Sequence, residues 1–428
     1  MTGPVVTGPV VTGPVVTGPV VTGPSVTGPS VVVAGGGIGG LALAVALRGA
    51  GIGVTVVERT ARIAEAGSGM VLYPNAITAL DAISPRLGRA VRAAGHEAVP
   101  GDTRPTLASD GTTLAVDAIG ELTRRFGAPQ VTLLRSALQH ALLGEALAAG
   151  VDLRTGVRVD DHADRGEHVD VVLSDGSVLT ADVLVGADGV RSGVRRRLFG
   201  DSPLLYRGYT SVRGRTRRSG AHPNGFIASG DGVDLFAGPI GGGHLYWAAK
   251  IVAPPGVWPA MGPTAAMPAL LDLLAGWHDS IVEIIRDVDA DGIVVTDIVD
   301  RDPIPRWTSG RVALLGDAAH PMTPGVGQGA GMALEDAAVL AHHLRSCSDA
   351  PAALEAYSAA RASRAADVVL RSRRTGRVDK ESGAGEASGA PRDFSTQDEG
   401  PMTLFGWRPP GHVEPGRVEP DRVEAVPV

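Results

Sequence analysis

The 428-residue chain is predicted to adopt a mixed α/β fold with two structural units and a C-terminal helix. A β-branched segment at residues 31–34 runs into a glycine turn and then into a small, apolar, helix-like segment. Short strand-like segments and turns dominate residues 201–300, which indicates an inserted, mainly antiparallel β unit. An alanine-rich stretch at residues 351–375 predicts a closing helix.

The domain boundaries follow from where these patterns change. We assign residues 31–200 and 301–345 to a discontinuous first domain and residues 201–300 to a second domain. Residues 346–375 form the predicted C-terminal helix. Its arginines, which we expect to form a solvated face, are at positions 361, 364, 371, 373 and 374.

Within the first domain, three segments carry distinct local predictions. Residues 131–149 are expected to form one amphipathic helix that ends at Gly150, since glycine is the preferred residue after a helix C-terminus. Residues 151–159 are hairpin-like, and a second hairpin is predicted around the turn at residues 174–176.

Composition and charge restrict the possible functions. The chain is 44% hydrophobic and 20% charged, which is ordinary for a globular enzyme. A net charge of -7 argues against a nucleic-acid partner. The single cysteine, Cys347, cannot form an intrachain disulfide and is typical of a cytoplasmic protein. The histidines are scattered, so no metal site is predicted, and the apolar stretch 31–57 contains too many glycines for a membrane span.

Both ends of the chain have low complexity. Residues 1–30 carry a TGPVV repeat without a signal-peptide pattern, and proline at every fifth position predicts a disordered tail. A structured appendage or a partner motif remains the alternative. Residues 376–428 are also predicted to be mostly disordered, because they contain few apolar residues. The sequence leaves open whether an apolar island around Phe405 and Trp407 docks onto the body.

The glycine turn is the first motif with chemical meaning. Gly35, Gly37 and Gly40 have G-x-G-x-x-G spacing between a strand and a helix, the pattern of a Rossmann-like dinucleotide site. The helix N-terminus would offer N–H groups to a pyrophosphate. Glu58 ends the next strand, where a carboxylate accepts hydrogen bonds from a ribose, although it could instead be a surface residue beside Arg59.

Two further motifs follow strands later in the chain. The segment VLVGADGVRS at residues 183–192 delivers Asp188 to a turn, and a second strand ends at Gly316-Asp317. An aspartate placed after a strand can accept from a cofactor hydroxyl, and the small residues 327–330 allow close approach to a flat ring. Each motif alone is also compatible with an ordinary strand–turn–helix corner.

Together the three motifs resemble the single-component flavoprotein monooxygenases related to para-hydroxybenzoate and salicylate hydroxylases. The resemblance covers residues 31–344, including residues 67–75, similar to the segment that passes beside the flavin. It implies one noncovalent FAD, NADH or NADPH as donor, and no second Rossmann domain for the nicotinamide. It also implies that reduced FAD reacts with O2 to a C4a-hydroperoxide, which hydroxylates or epoxidises a small molecule.

The motifs and the resemblance together define a set of predicted site residues. Arg213 is the candidate polar residue facing the substrate, with a salt bridge as the alternative, and Pro324 belongs to the loop expected to shield the flavin. The residues predicted to bind FAD are Gly35, Gly37, Ile38, Gly39, Gly40, Glu58, Arg59, Gly69, Met70, Val71, Arg135, Val159, Asp188, Gly189, Gly316, Asp317, Gly327, Gln328, Gly329 and Ala330.

One departure from the family pattern bears on the substrate. Position 325 is glycine, where relatives that oxidise acidic or polar heterocycles often carry Asp or Asn. Gly325 cannot act as a base, so we expect a substrate that is already electron-rich, such as a phenol, an indole or a polyene. We expect a monomer or homodimer.

Four other functions were weighed for the same sequence. A flavin reductase or dehydrogenase of this fold would not insert oxygen, and a noncatalytic member would act as a binding or escort protein. A flavin-dependent halogenase is disfavoured because its W-x-W-x-I-P motif is absent. A plain NAD-binding Rossmann protein explains the first motif but not the other two.

Overall fold

The computed structural model describes residues 29–63, 68–217, 222–288, 292–375 and 399–411. The predictions for the N-terminal repeat up to residue 28, and for most of the C-terminal tail, lie outside this part of the chain. Within it, no helix is long and apolar enough to cross a membrane.

The strands are numbered along the chain. They are β1 (Val31–Ala34), β2 (Val54–Glu58), β3 (Gly69–Leu72), β4 (His96–Glu97), β5 (Arg104–Ala108), β6 (Thr113–Asp117), β7 (Val131–Leu134), β8 (Asp152–Thr155), β9 (Val159–Asp164), β10 (Val169–Leu173), β11 (Val178–Ala181), β12 (Val183–Gly186), β13 (Leu205–Arg217), β14 (Phe226–Gly230), β15 (Val233–Pro239), β16 (His244–Val252), β17 (Val294–Asp300), β18 (Thr308–Ser309) and β19 (Val312–Leu314).

The helices are numbered in the same way. They are α1 (Ile38–Gly49), α2 (Pro74–Ile83), α3 (Pro85–Ala94), α4 (Leu122–Phe126), α5 (Arg135–Ala148), α6 (Gly193–Phe199), α7 (Val257–Leu273), α8 (Asp279–Arg286), α9 (Gly329–Ser346), α10 (Ala350–Thr375) and α11 (Glu399–Phe405).

A six-stranded sheet forms the centre of the first unit, in the order β18-β19-β12-β1-β2-β8. The strands from β19 to β8 run parallel, and β18 is antiparallel to β19. All four residues of β1 are buried, as expected for a parallel strand covered on both faces. Helix α1 is apolar on nearly every side because it packs against the sheet and against α9. Each fully buried leucine in it, such as Leu43, contributes about 1.5–3 kcal/mol.

The structure corrects two local predictions in this unit. The helix predicted at residues 131–149 is wrong at its start, because residues 131–134 form β7, which pairs antiparallel with β3. The helix itself begins at Arg135 and is followed by Gly150 at φ +75°, the predicted C-terminal glycine. The hairpin predicted at residues 151–159 is also wrong. Strand β8 joins the central sheet parallel to β2, and β9 pairs with β10.

The second unit contains a seven-stranded sheet in the order β17-β13-β16-β15-β14-β5-β6. One face packs on α7 and α8 around a separate core that includes Val212, Trp247 and Ile285. Strands β5 and β6 come from residues 104–117, which we had placed in the first domain. The predicted boundary is corrected here, because β5 pairs in parallel with β14.

The predicted solvated arginine face of α10 is wrong at four positions. Arg361 is 1% exposed, and Arg364, Arg371 and Arg373 are half-buried. Arg373 donates from Nε to Asp300 at 2.7 Å, which ties α10 to the end of β17. Arg374 is exposed, as predicted. The sequence pattern did not indicate these contacts, because the carboxylate partners lie far away along the chain.

The apolar island in the C-terminal tail is docked onto the body. Leu404 and Phe405 of α11 are 7% and 2% exposed and belong to the core of the first unit. At the other end of the body, Ser30 donates to the Asp182 carboxylate from its N–H at 2.7 Å and from its hydroxyl at 2.8 Å. Ser30 is therefore already anchored, one residue before the predicted start of the first domain.

Candidate cofactor and substrate site

The glycine turn joins β1 to α1 with backbone geometry that side chains would disrupt. Gly35 has φ +112°, and a Cβ on it would lie 2.3 Å from the Ala187 carbonyl oxygen. A Cβ on Gly40 would lie 2.0 Å from the Gly35 carbonyl oxygen. At Gly37, in contrast, the Cβ position has no described atom within 4 Å apart from those of its own local backbone. Gly35 and Gly40 are therefore needed for close backbone packing within the turn and against residue 187. Gly37 instead faces space that a ligand can enter.

Glu58 lies directly beside this turn. Its Oε2 accepts from the Gly36 N–H at 2.7 Å, and its Oε1 accepts from the Thr60 N–H and hydroxyl, both at 2.9 Å. The surface alternative for Glu58 therefore does not describe its contacts, although Arg59 is exposed. The carboxylate is held in one orientation at the strand end, where the ribose of a dinucleotide lies in this fold.

Gln139 is a residue of the turn that the sequence analysis missed. This buried side chain donates from Nε2 to the Gly36 carbonyl oxygen at 2.5 Å. It lies four residues after Arg135 on α5, so both project from the same side of that helix. That spacing, together with the predicted role of Arg135, was the available signal.

The segment at β3 and the start of α5 contact each other. Gly69, Met70 and Val71 pair with β7 and are half-buried. Arg135 is exposed, and its backbone N–H donates to the Ser68 carbonyl at 2.8 Å. The β3 segment and the first turn of α5 therefore lie at one edge of the first unit.

Val159 lies in a different position from the one expected. It begins β9 and pairs with Leu173 in the small sheet β11-β10-β9. The backbone carbonyl of Glu58 accepts from the Val157 N–H at 3.2 Å.

Asp188 brings the second motif next to the glycine turn. A Cβ on Gly35 would lie 3.1 Å from the Asp188 Cα. Asp188 Oδ2 accepts from the Gly193 N–H at 2.8 Å and caps α6. Its Oδ1 is buried and has no hydrogen-bond partner among the residues that the structure describes. A buried carboxylate oxygen without a donor is costly, so this atom is poised for a ligand donor. Gly189 follows at φ +83°.

The third motif meets the same edge because β1, β12 and β19 are neighbouring parallel strands. Gly316 has φ +61° and begins a single 3-10 turn that contains Asp317. The Asp317 side chain has exposed surface, yet protein surrounds its other sides. That enclosure raises the pKa of the Asp317 carboxyl, while His320 and Arg135 oppose the change.

The loop from Pro324 to Ala330 runs into the N-terminus of α9. Pro324 is exposed, and its carbonyl accepts from the Gly327 N–H at 2.9 Å. The Gln328 side chain points into the protein and accepts from Asn75 Nδ2 at 2.7 Å. Gln328 can therefore reach a cofactor only through its backbone. Gly329 and Ala330 begin the helix and are half-buried.

A buried polar network supports this loop from behind, and the sequence analysis missed it. Asn75 donates to Glu335 as well as to Gln328, at 2.7 Å in both contacts. His320 Nε2 lies 2.6 Å from Asp336 Oδ2, which also accepts from the Gly316 N–H at 3.1 Å. These contacts join α2, the third motif and α9, so the loop geometry depends on residues far apart in sequence.

Arg213 lies on the face of the seven-stranded sheet that looks toward the first unit. Tyr246 shares this face, and the Cβ position of Gly69 on β3 is 2.3 Å from its ring carbon Cγ. Burial raises the pKa of Tyr246 to about 12, and the nearby Arg213 partly opposes the change. Arg213 Nη2 donates to Thr296, while its Nε is buried without a partner in the described structure. The salt-bridge alternative does not describe these contacts, since the partner of Nη2 is a neutral hydroxyl.

Farther along the same face, Tyr209 approaches the loop of the third motif. Its ring lies 5.4 Å from Lys250 Nζ, which forms an ion pair with Asp234 at 2.8 Å. The Tyr209 hydroxyl lies beside Thr323 of the loop without meeting hydrogen-bond geometry. Arg213 therefore lies on a surface bounded by β3 at one end and by this loop at the other.

These features fit an FAD molecule. Open space at the Cβ position of Gly37, a fixed carboxylate at Glu58 and the unpartnered Oδ1 of Asp188 lie along one strand-end edge. Asp317 and the N-terminus of α9 continue that edge. In the described part of the chain, no group of three or more His, Cys, Asp or Glu side chains could hold a metal ion.

Comparison with known proteins agrees with this geometry. The model of the FAD binding domain family matches residues 29–202 and 278–372. An aurachin C monooxygenase/isomerase of Stigmatella aurantiaca is 39% identical over 350 residues, covering 81% of this chain and 89% of that protein. A chloroplastic zeaxanthin epoxidase of Solanum lycopersicum is 36% identical over 74% of this chain, which spans 48% of that enzyme. The crystal structure of Klebsiella pneumoniae HpxO with FAD and uric acid superposes with a TM-score of 0.74 at 29% identity, covering 80% of this chain and 87% of that one.

The chain therefore belongs to the FAD binding domain family, and its relatives are FAD-dependent monooxygenases. The predicted resemblance, fold class and cofactor are confirmed. The protein is an oxidoreductase that uses FAD, with NAD(P)H as the family's electron donor, to hydroxylate or epoxidise a small molecule with O2. The comparisons give no support to a reductase that leaves out oxygen insertion.

Proposed function

We propose that the residues assembled at this edge hold FAD and that the face carrying Arg213 holds the substrate against it. Gly37 and the N-terminus of α1 bind the pyrophosphate, because unpaired N–H groups there attract anions. Glu58 accepts from the adenosine ribose, and Asp188 and Asp317 accept from hydroxyls or N–H groups farther along the cofactor. The proposed domain division has the corrected boundary, with residues 104–117 in the substrate unit.

When bound and reduced by NAD(P)H, FAD would activate O2, so that one oxygen atom of O2 enters the substrate and the other leaves as water. The chain's own residues bind and orient the cofactor and the substrate, and they exclude water. The N-terminus of α9 stabilises negative charge at the ring edge, since helix N-termini carry a partial positive charge. The Pro324–Ala330 loop covers that edge and keeps water away from the reacting atoms.

The substrate is proposed to be an electron-rich small molecule with an acceptor oxygen. Arg213 carries this proposal, because its buried Nε has no partner in the described structure and lies on the face bounded by β3 and the flavin loop. A guanidinium donates to oxygen in a fixed geometry and keeps its charge. Gly325 provides no base, so the substrate must be nucleophilic without deprotonation at that position. Phenols meet both requirements, as do indoles and polyenes that carry an oxygen substituent.

We further propose a cytoplasmic monomer or homodimer. The single cysteine supports a reducing compartment, because it leaves no intrachain disulfide to be maintained. Size-exclusion chromatography with light scattering separates a 43.7 kDa monomer from its dimer. A tetramer would contradict the proposal.

The deciding experiment measures NAD(P)H consumption by the FAD-loaded enzyme across phenols, indoles and polyenes, with and without O2. Product carrying one added oxygen supports the proposal. In the Arg213→Gln variant, KM for an oxygen-bearing substrate should rise about tenfold or more, because a charged hydrogen bond is lost. Arg217→Gln is the matched control, since Arg217 is exposed on the same strand. An unchanged KM in Arg213→Gln would refute the assigned role.

A further inference from the structure

The docked C-terminal segment makes its main contact with an aromatic residue beside the flavin loop. We call residues 399–411 the C-terminal clasp. Phe405 stacks on Tyr73 with ring centroids 4.6 Å apart and planes 15° apart, and it meets the edge of Phe126 at 5.7 Å. Met402 on the same helix is 50% exposed. The clasp therefore docks through one side, with Phe405 at the centre of the contact.

Tyr73 contacts the flavin loop as well as the clasp. Gly327 has φ +65°, and a Cβ on it would lie 3.0 Å from Tyr73 Cε2. The Tyr73 ring thus stacks on Phe405 through one face and lies close to the loop backbone at Gly327 through its Cε2 edge. A rigid ring at this point limits where the loop backbone can move.

A second, polar route joins the clasp to the same loop. Arg364 donates from Nη2 to the Leu404 carbonyl at 3.0 Å and also donates to the Thr403 carbonyl. The same guanidinium donates to Glu335 from Nε and Nη2, both at 2.8 Å. Glu335 accepts from Asn75, which holds Gln328. The two routes therefore converge on residues 327 and 328.

We propose that the C-terminal clasp positions the flavin loop and that Phe405 is a positioning residue for the oxygen transfer. This inference rests on the proposed placement of residues 327–330 at the flavin. The clasp follows the body after 23 residues, 376–398, and the covalent link keeps it at a high local concentration. Loss of the clasp loosens the loop, which weakens FAD binding and admits water, so that reduced oxygen leaves as H2O2 without reaching the substrate.

The test uses the full-length FAD-loaded enzyme and three variants. Phe405→Leu keeps an apolar side chain but removes the ring, Phe405→Ala removes both, and Met402→Ala is the exposed control on α11. The readouts are the FAD dissociation constant from reconstitution of apoprotein and the H2O2 released per NAD(P)H consumed. An aromatic pair contributes only modestly to the interaction free energy, so we expect about two- to tenfold weaker FAD binding in Phe405→Leu. The weakening should be larger in Phe405→Ala. The H2O2 fraction should at least double in both, and Met402→Ala should match the wild type.

Phe405→Leu variants with a lower melting temperature but unchanged FAD affinity and H2O2 yield would overturn the proposal, because the clasp would then serve only folding. The flavin-site assignment fails in a different way. If Gly37→Ala and Asp188→Asn leave FAD affinity unchanged, the assumed site is wrong whatever Phe405 does. If those two variants lose FAD and Phe405→Leu does not, the inference alone is wrong.

Discussion

Arg361 donates from Nε to Asp336 Oδ1 at 2.7 Å, in an ion pair whose partners are 1% and 0% exposed. The same guanidinium donates from Nη1 to Glu335 at 2.6 Å, so one cation of α10 binds two adjacent carboxylates of α9. Because Asp336 also accepts from the Gly316 N–H, the pair fixes the turn that carries Asp317.

Replacing Arg361 with methionine should destabilise the fold by about 3–5 kcal/mol, because it leaves buried carboxylates without their main partner. The measurement is urea unfolding of the FAD-loaded protein. Arg374→Met is the control, since Arg374 is exposed on the same helix. Equal unfolding midpoints for the two variants would contradict this assignment.

The same network predicts a loss of stability in acid. Burial alone would raise the pKa of Asp336, but His320 and Arg361 hold it below its ordinary value, and Arg361 and Arg364 do the same for Glu335. A carboxyl whose pKa is lowered on folding stabilises the protein above its unfolded pKa, and this stabilisation disappears as the pH falls through the folded value. The urea concentration at the unfolding midpoint should therefore decrease when the pH is lowered below about 4. This acid-induced loss should be smaller in Arg361→Met, because without the guanidinium the burial that raises both pKa values is less opposed. An equal loss in both proteins would argue against the network as its origin.

Two glycines of the turn should respond in opposite ways to alanine. Gly37→Ala should keep wild-type apoprotein stability and lose FAD binding, because the added methyl occupies space free of protein. Gly40→Ala should destabilise the apoprotein by about 1–3 kcal/mol, because its Cβ would lie 2.0 Å from the Gly35 carbonyl. Thermal unfolding of apoprotein and FAD titration separate the two effects. Normal FAD affinity in Gly37→Ala would refute the pyrophosphate assignment.

Asp188→Asn should weaken FAD binding by about 10- to 100-fold, since an amide replaces an ionised acceptor at the buried Oδ1. Fluorescence titration of apoprotein with FAD measures the effect. Ser192→Ala is a suitable control. It removes the other side-chain cap of α6, the contact from Arg195 N–H to Ser192 Oγ at 2.9 Å, without touching Asp188. A similar loss in both variants would assign Asp188 to helix capping alone.

Gly325→Asp should give no marked acceleration of product formation, because an electron-rich substrate needs no base at that position. Single-turnover oxygen transfer, monitored from reduced enzyme mixed with O2 and substrate, isolates this step. Gly325→Asn controls for side-chain volume without a base. Markedly faster hydroxylation in Gly325→Asp than in Gly325→Asn would reject the proposed substrate class.

The sequence predicted the parts of the site that depend on local backbone chemistry. Gly35, Gly40 and Gly150 need conformations or close contacts that glycine allows, and such requirements leave a mark in a single segment. Strand ends at Asp188 and Asp317 were predicted for the same reason. Their convergence followed from the rule that parallel strands share a carboxyl edge.

The missed features depend on partners far apart in sequence. Arg361 and Arg364 looked like surface residues because their carboxylates lie on another helix. Asn75 reaches Gln328 across 253 positions, a distance over which no periodicity carries information. Strand β7 was read as helix because its apolar residues continue smoothly into α5, and only the antiparallel pairing with β3 separates them.

The pairing of β5 with β14 has a consequence for engineering chimeric enzymes. A fragment limited to residues 201–300 would leave its sheet without two strands and expose the backbone edge of β14 to aggregation. A specificity swap between relatives must therefore transplant two separate stretches, residues 104–117 together with the later segment. Exchange in a single recombination event would divide the sheet that we propose lines the substrate.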